Sequence, residues 1–215
     1  QRKPKGHLYL YPLIAIAAML AIVFVMDLPH MHKPKQQLSQ TIRIPAGQRA
    51  QMDLPDGSVV WLNSQTTLTY DEDFGKKDRK VTLDGEAYFE VAHNKEIPFY
   101  VQTENIKVQV TGTKFDVCSY KGSNSFIARL IEGSINLLTN NAKEEKPITS
   151  LTKGKYFSME NGKYKTGEMS SNNALAWMQG IYYFDDVPFK ELLDKIALYY
   201  NYKITVKKEG VVLDA

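Results

Sequence analysis

Between Leu8 and Met26 the chain reads LYLYPLIAIAAMLAIVFVM, without a single charged residue. As a helix rising about 1.5 Å per residue, this run matches the hydrocarbon thickness of a bilayer, so a single transmembrane helix is expected over 8–28. Tyr9 and Tyr11 sit where an interfacial aromatic belt would lie. Arg2, Lys3 and Lys5 would also suit the basic start of a signal peptide. The apolar run is long for that purpose, however, and FVMDLPHMH contains no small-x-small cleavage site. Lys3 and Lys5 abut the amino end, whereas Lys33 and Lys35 lie further from the other. The positive-inside rule therefore makes 1–7 a cytoplasmic flank and puts the rest of the chain outside the cytoplasm.

This segment also explains the charge. Residues 1–40 carry +4 against an overall +3, which leaves −1 for everything after them. The basic character belongs to the flanks of the apolar run, and a nucleic-acid surface is excluded as its source. Cys118 is the only cysteine, which excludes an intramolecular disulfide and any cysteine metal cluster. Pro29, Pro34 and unpatterned polar residues make 29–40 a linker. His30 and His32 lie in it with only Asp27 nearby as a further ligand, so they read as solvated linker residues rather than a metal site. With Gln as its first residue, the sequence is expected to begin inside a longer chain.

From 41 to 170 the pattern is that of a mainly β domain. Val81, Leu83, Ala87, Phe89 and Val91 share one parity, while Thr82, Asp84, Glu86 and Glu90 take the other, a half-buried strand with room for a bulge at Gly85. Leu54-Pro55-Asp56-Gly57 has Pro and Gly where a type I turn favours them, and a hairpin or corner is expected there. Gly57, Gly85, Gly112, Gly133 and Gly154 each open a short strand pattern, and they follow one another at similar intervals. Such a quasi-period suits stacked coils, so a short β-solenoid is expected, with a β-sandwich or jelly roll as the alternative.

Residues 171–215 form a different unit. SSNNALAWMQG interrupts the alternation, Ile181–Asp185 reads as a strand, and Pro188 is placed to begin a helix. In that helix Phe189, Leu192, Leu193, Ile196 and Tyr200 recur at helical spacing. Asn201 is a helix stop and Lys203–Lys207 a further strand, giving a partial βαβ unit that cannot bury both its faces alone.

One place in the body must break regularity. Ile106, Val108 and Val110 put apolar side chains on even positions, whereas Phe115 and Val117 use odd ones. Because a strand has a side-chain period of two, the core face must switch near Gly112-Thr113.

Several motifs, taken in order, resemble the FecR family of transmembrane anti-sigma regulators. They are LPDGS at 54–58 with WLN after it, RKVTLDGEAYFEV at 79–91, Ile97-Pro98-Phe99, VTGTKFDV at 110–117, EGSINLL at 132–138, KGKYF at 153–157 and AWMQGIYYF at 176–184. The resemblance implies a single-pass inner-membrane protein with a cytoplasmic amino terminus and a periplasmic body. That body would relay a signal from the signalling domain of a TonB-dependent outer-membrane receptor to an extracytoplasmic-function sigma factor. The sigma factor would be held by a cytoplasmic domain not included in these residues, and 181–207 would be half of a secretin and TonB amino-terminal type fold. The resemblance also implies self-cleavage between Gly112 and Thr113. A hydroxyl residue after glycine at a kinked peptide can attack the preceding carbonyl in an N-to-O acyl shift, and water then opens the ester. Here Thr111 stands where the family often has an aliphatic residue.

Other candidate chemistry is thin, and no cofactor or metal is expected. Asp71, Glu72 and Asp73 lack EF-hand spacing and read as a solvated turn. Glu86 and Glu90 share one face of one strand, which suits a polar surface better than a glycosidase pair. His93 has no partner constellation in sequence and reads as a strand end, and Trp61 and Trp177 read as core or interface anchors. A turnover enzyme is not expected. The alternative in a different class is a membrane-anchored module that binds a ligand such as a glycan.

Overall fold

Arg79–Glu90 is one twelve-residue strand, and the β domain is arranged around it. The computed structural model describes residues 15–22, 38–141, 144–169, 172–184, 188–207 and 210–214. The chain divides into two units, 1–37 and 38–215. In the first, 15–22 is helical, with Ile16, Met19, Leu20 and Ile22 exposed. The rest of the expected span, most of the linker, and His30 and His32 lie outside the described residues. Among the described residues no helix is long and apolar enough to cross a membrane.

The strands of the second unit are β1(Ser39–Arg43), β2(Ala50–Asp53), β3(Val59–Leu62), β4(Thr67–Asp71), β5(Arg79–Glu90), β6(Phe99–Gln102), β7(Ile106–Val110), β8(Lys114–Ser119), β9(Ser125–Glu132), β10(Ser134–Thr139), β11(Pro147–Thr152), β12(Lys155–Glu160), β13(Lys163–Glu168), β14(Lys203–Lys207) and β15(Gly210–Asp214). The first thirteen form one curled, half-barrel sheet. The first half of β5 pairs with β4 and β6, and its second half with β3 and β8. On one side the sheet continues through β7, β10 and β11, with β1 beside β4. On the other it continues through β9, β12 and β13, with β2 beside β3.

Partners change over at Gly85. Its φ is +134°, and a Cβ there would lie 2.4 Å from Thr66 Oγ1 and 2.6 Å from Thr66 Cα. Only glycine allows β5 to come this close to Thr66, the residue before β4, where the strand turns from one half to the other. The alternation read from the sequence holds along the strand: Val81, Leu83, Ala87 and Phe89 are buried. They meet Val60, Leu62, Phe99, Phe115, Phe126, Leu130 and Phe157 in one core. Phe89 stacks on Phe115 with ring centroids 5.1 Å apart and meets Phe99 edge-on at 5.9 Å. Each buried ring contributes roughly 1.5–3 kcal/mol of transfer free energy.

Two expectations are corrected. Apart from β5 with β6, the strand pairs of this sheet are antiparallel. A β-solenoid stacks parallel coils, so it does not form. The spaced glycines are corners of an antiparallel sheet: Gly57, Gly133 and Gly154 have φ of +82°, +93° and +83° at the ends of strands. Nor is the last unit βαβ. Ile181–Phe184 is not a strand. It leaves the 3-10 helix Asn172–Gln179 with Ile181 N–H on Ala176 O, and Tyr182 then points its hydroxyl at Asn63 instead of joining a ladder. The expected helix forms over Phe189–Tyr200, after Pro188, and stops at Asn201 in a left-handed conformation, φ +58°. β14 then pairs antiparallel with β15, giving a helix followed by a hairpin.

Candidate functional site

The chain passes from one half of the sheet to the other at 111–113. β7 ends at Val110, paired with β6, and β8 begins at Lys114, paired with β5. Val110 is buried, Thr111 and Gly112 are half-buried, and Thr113 and Phe115 are buried. The predicted switch of core face is therefore made by two successive residues that are both only half-buried, the second without a side chain. A register shift between Lys114 and Phe115 against β9 completes it.

The Gly112-Thr113 peptide is held on both faces. A Cβ on Gly112 would lie 2.4 Å from His93 Nδ1 and 2.9 Å from His93 Cα, so the imidazole occupies the space any larger residue would need. On the other face, a Cβ on Gly133 would lie 2.9 Å from Thr113 Oγ1 and 3.0 Å from the Gly112 carbonyl oxygen. The Thr113 hydroxyl donates to Ser134 O at 3.0 Å. Flanking backbone bonds fix the register: Val91 N–H donates to Thr113 O at 3.0 Å and Asn94 N–H to Thr111 O at 2.7 Å.

Arg79 holds the 92–97 loop that carries His93. It is 2 % exposed, and its guanidinium donates to Ala92 O at 2.7 Å, Asn94 O at 3.0 Å, Ile97 O at 2.7 Å and Asp56 Oδ2 at 3.1 Å. It also lies 5.8 Å from the centre of the Phe99 ring. Asp56 in turn accepts from the Ser58 backbone and hydroxyl, and Ser58 Oγ accepts from Ala92 N–H at 3.0 Å. His93 and Gly133-Ser134 thus flank the Gly112-Thr113 peptide bond, and the 54–58 turn and the first residue of β5 hold the 92–97 loop that brings His93 there. Sequence reasoning picked out Gly112 and Thr113 but missed Asp56, Arg79, His93 and Gly133 as their supports. A signal was available for Arg79, since its odd number puts a charge on the buried parity of β5.

A second polar cluster lies on the outer face of the other half. Arg129 NH1 is 2.6 Å from Asp116 Oδ2 and 3.8 Å from Glu86 Oε1, and Asn63 Nδ2 donates to Glu86 Oε2 at 2.6 Å. Burial first, and then the nearby Asp116 carboxylate, pushes Glu86 up to about 7 against the pull of Arg129 and Asn63. Burial likewise raises Asp116, opposed by Arg129 and by the Trp177 indole. Trp177, 3 % exposed, comes from the 3-10 helix. The C-terminal helix is tied down beside it: Gly47 N–H and Ser64 Oγ both donate to Tyr199 O at 2.7 Å, and Tyr199 OH donates to Gly47 O at 3.0 Å.

The remaining candidates are not brought together. Glu90 pairs with Lys114 at 3.0 Å, away from the Glu86 cluster. The 71–73 run forms a turn in which Phe74 N–H donates to Asp71 O and Lys77 pairs with Asp73.

Fold and site together define a curled β-sheet domain with a buttressed Gly-Thr crossover. Residues 40–136, which include every group around that crossover, match the family described as FecR protein, and this part of the chain belongs to that family. Two crystal structures of candidate anti-sigma factors from Parabacteroides distasonis ATCC 8503 share the fold. One has a TM-score of 0.69 at 22% identity over 82% of this chain and 98% of its own. The other has a TM-score of 0.61 at 22% identity over 81% and 98%. Nothing among the curated proteins matches the chain.

Proposed function

We propose that this chain is a sigma regulator of the cell envelope, anchored in the inner membrane by 8–28 with its amino terminus in the cytoplasm and its body in the periplasm. An extracytoplasmic-function sigma factor is controlled from the cytoplasmic side of that span. The input comes from the signalling domain of a TonB-dependent outer-membrane receptor. Support for the receiving surface is the exposed aromatic and aliphatic set Tyr183, Phe189, Tyr200, Tyr202 and Val206, spread over the 181–184 segment, the C-terminal helix, the residue after its stop and the first strand of the hairpin. Such a surface suits packing or strand addition by a partner domain.

The observation that carries the reading is the packing of His93 and Gly133-Ser134 against the two faces of the Gly112-Thr113 bond, within the stretch that matches the FecR family. Such investment in a single peptide suits self-cleavage. Thr113 Oγ1 adds to the Gly112 carbonyl carbon, the C–N bond breaks, and the hydroxyl proton ends on the freed Thr113 nitrogen. Water then adds to the ester and the C–Oγ bond breaks, leaving a Gly112 carboxylate and an amino-terminal Thr113.

Denaturing mass measurement of the full chain and of Thr113→Ala tests this step. Two fragments split between 112 and 113 are expected from the former only, and a wild-type chain still intact after prolonged incubation counts against it. Receptor capture is tested by pull-down with a signalling domain; undiminished binding after deletion of 181–215 would remove that surface from the proposal.

A further inference from the structure

Resting on the self-cleavage reading, we infer that His93 is the general base for hydrolysis of the ester and takes no part in the acyl shift that forms it. The argument begins with the two faces of the bond. Successive residues of an extended chain project to opposite sides. Thr113 is 3 % exposed and turns inward, its hydroxyl committed to Ser134 O at 3.0 Å beside the bare Cα of Gly133. The Cβ direction of Gly112 points the opposite way, into the imidazole of His93, an exposed residue.

On the hydroxyl's side, among the described residues, its hydrogen-bond partner is the Ser134 carbonyl and Gly133 lies beside it, and neither is a base. The acyl shift therefore proceeds without a side-chain base and yields an ester less stable than the amide it replaces. Net cleavage then depends on how fast water drains the ester. Water reaches the Gly112 carbonyl from the exposed side, where the imidazole stands against Gly112. His93 accepts a proton from that water as its oxygen bonds to the carbonyl carbon. When the tetrahedral intermediate collapses, the C–Oγ bond breaks, the Thr113 alkoxide takes a proton from a solvent water, and the imidazolium on the other face gives its own proton to the hydroxide so formed. The histidine ends neutral, and one water has been consumed.

The ring is held for this role from its backbone. Val91 and Asn94 bond across to Thr113 O and Thr111 O, and Arg79 grips the carbonyls of Ala92 and Asn94 on either side of residue 93. Glycine at 112 gives the imidazole its access.

The test uses the full chain as wild type, His93→Gln and Thr113→Ala, each incubated in buffer with and without hydroxylamine and read by denaturing mass spectrometry. Hydroxylamine attacks an ester without a base and marks it by leaving a hydroxamate on Gly112. Removal of a general base slows hydrolysis by roughly 10²-fold or more, so His93→Gln should accumulate little cleavage in buffer. With hydroxylamine it should be cut at the wild-type rate, and Thr113→Ala should be cut in neither medium. Wild-type cleavage rates for His93→Gln in plain buffer overturn the inference, as does an equal loss in both media, which would mean that His93 serves the acyl shift or the fold. A wild type uncut even by hydroxylamine removes the self-cleavage reading itself.

Discussion

Arg79 and Asp56 meet at 3.1 Å with side chains only 2 % and 6 % exposed. Far apart in sequence, they join the 54–58 turn to the start of the longest strand. Because the same guanidinium also serves three backbone carbonyls of the 92–97 loop, removing it leaves a buried carboxylate and three acceptors short of a donor. Arg79→Ala is expected to cost about 3–5 kcal/mol in urea unfolding. Arg79→Lys should recover little, because an ammonium cannot reproduce the planar fork. A loss below about 1 kcal/mol for either variant would mean that the clamp is not structural.

Gly112→Ala drives a methyl group into His93. The expected destabilisation is about 1–3 kcal/mol, the usual cost of overpacking. Adding His93→Ala removes the ring that is struck, so the double variant should recover about 1 kcal/mol relative to additivity. Gly133→Ala meets Thr113 and Gly112 instead and forces alanine to a φ of +93°, and it should show no such coupling to His93. Strict additivity for Gly112 with His93 would contradict the packing described.

Stability should fall as pH rises through neutrality. Glu86 is raised on folding from 4.5 to about 7 by burial, so the folded state holds its proton more tightly than the unfolded chain does. The resulting stabilisation is fully present below about 4.5 and is lost as pH climbs through about 7. Asp116, also raised by burial, acts in the same direction. Melting curves of wild type between about pH 5 and pH 8 should lose on the order of 1–3 kcal/mol through Glu86. Glu86→Gln should be flatter over the same range. Parallel curves for the two proteins would refute the assignment.

Trp177 closes the Asp116 side of that cluster, and Arg49 donates to its backbone oxygen at 3.2 Å. Truncation to alanine opens a cavity over a buried carboxylate. Amide exchange across 172–184 is expected to quicken by at least about tenfold, which corresponds to about 1.4 kcal/mol of local opening. β8 and β9 should keep their protection. Unchanged exchange at 172–184 would show that the indole does not hold the segment down.

What could be read in advance follows from the range of the interaction concerned. The alternation of β5, the 54–57 turn, the helix after Pro188 and the change of parity at Gly112-Thr113 are all set by neighbours in sequence, and all are present. The pairing of strands is not set that way. Glycines at 57, 85, 112, 133 and 154 announce corners but not which strands lie side by side, so coils and antiparallel strands share one signature. Ile181–Phe184 has strand-like composition, yet Tyr182 finds Asn63 from a distant part of the chain, and that contact overrides local preference. His93 looked like a strand end because its contact with Gly112 depends on Arg79 folding the 92–97 loop back, an arrangement no spacing rule encodes.

The crossover at 111–113 also has a mechanical consequence. A break at Gly112-Thr113 would not free the two pieces, because β8 of the second remains zipped along the second half of β5 from the first, and β10 remains zipped along β7. The nicked molecule would behave as a non-covalent pair, indistinguishable from the intact chain until load was applied along it. Tension on the amino-terminal piece would then have to strip two antiparallel seams and tear open a shared core. A backbone cut at this point would thus convert a permanent linkage into one that yields only to force or to a competing strand.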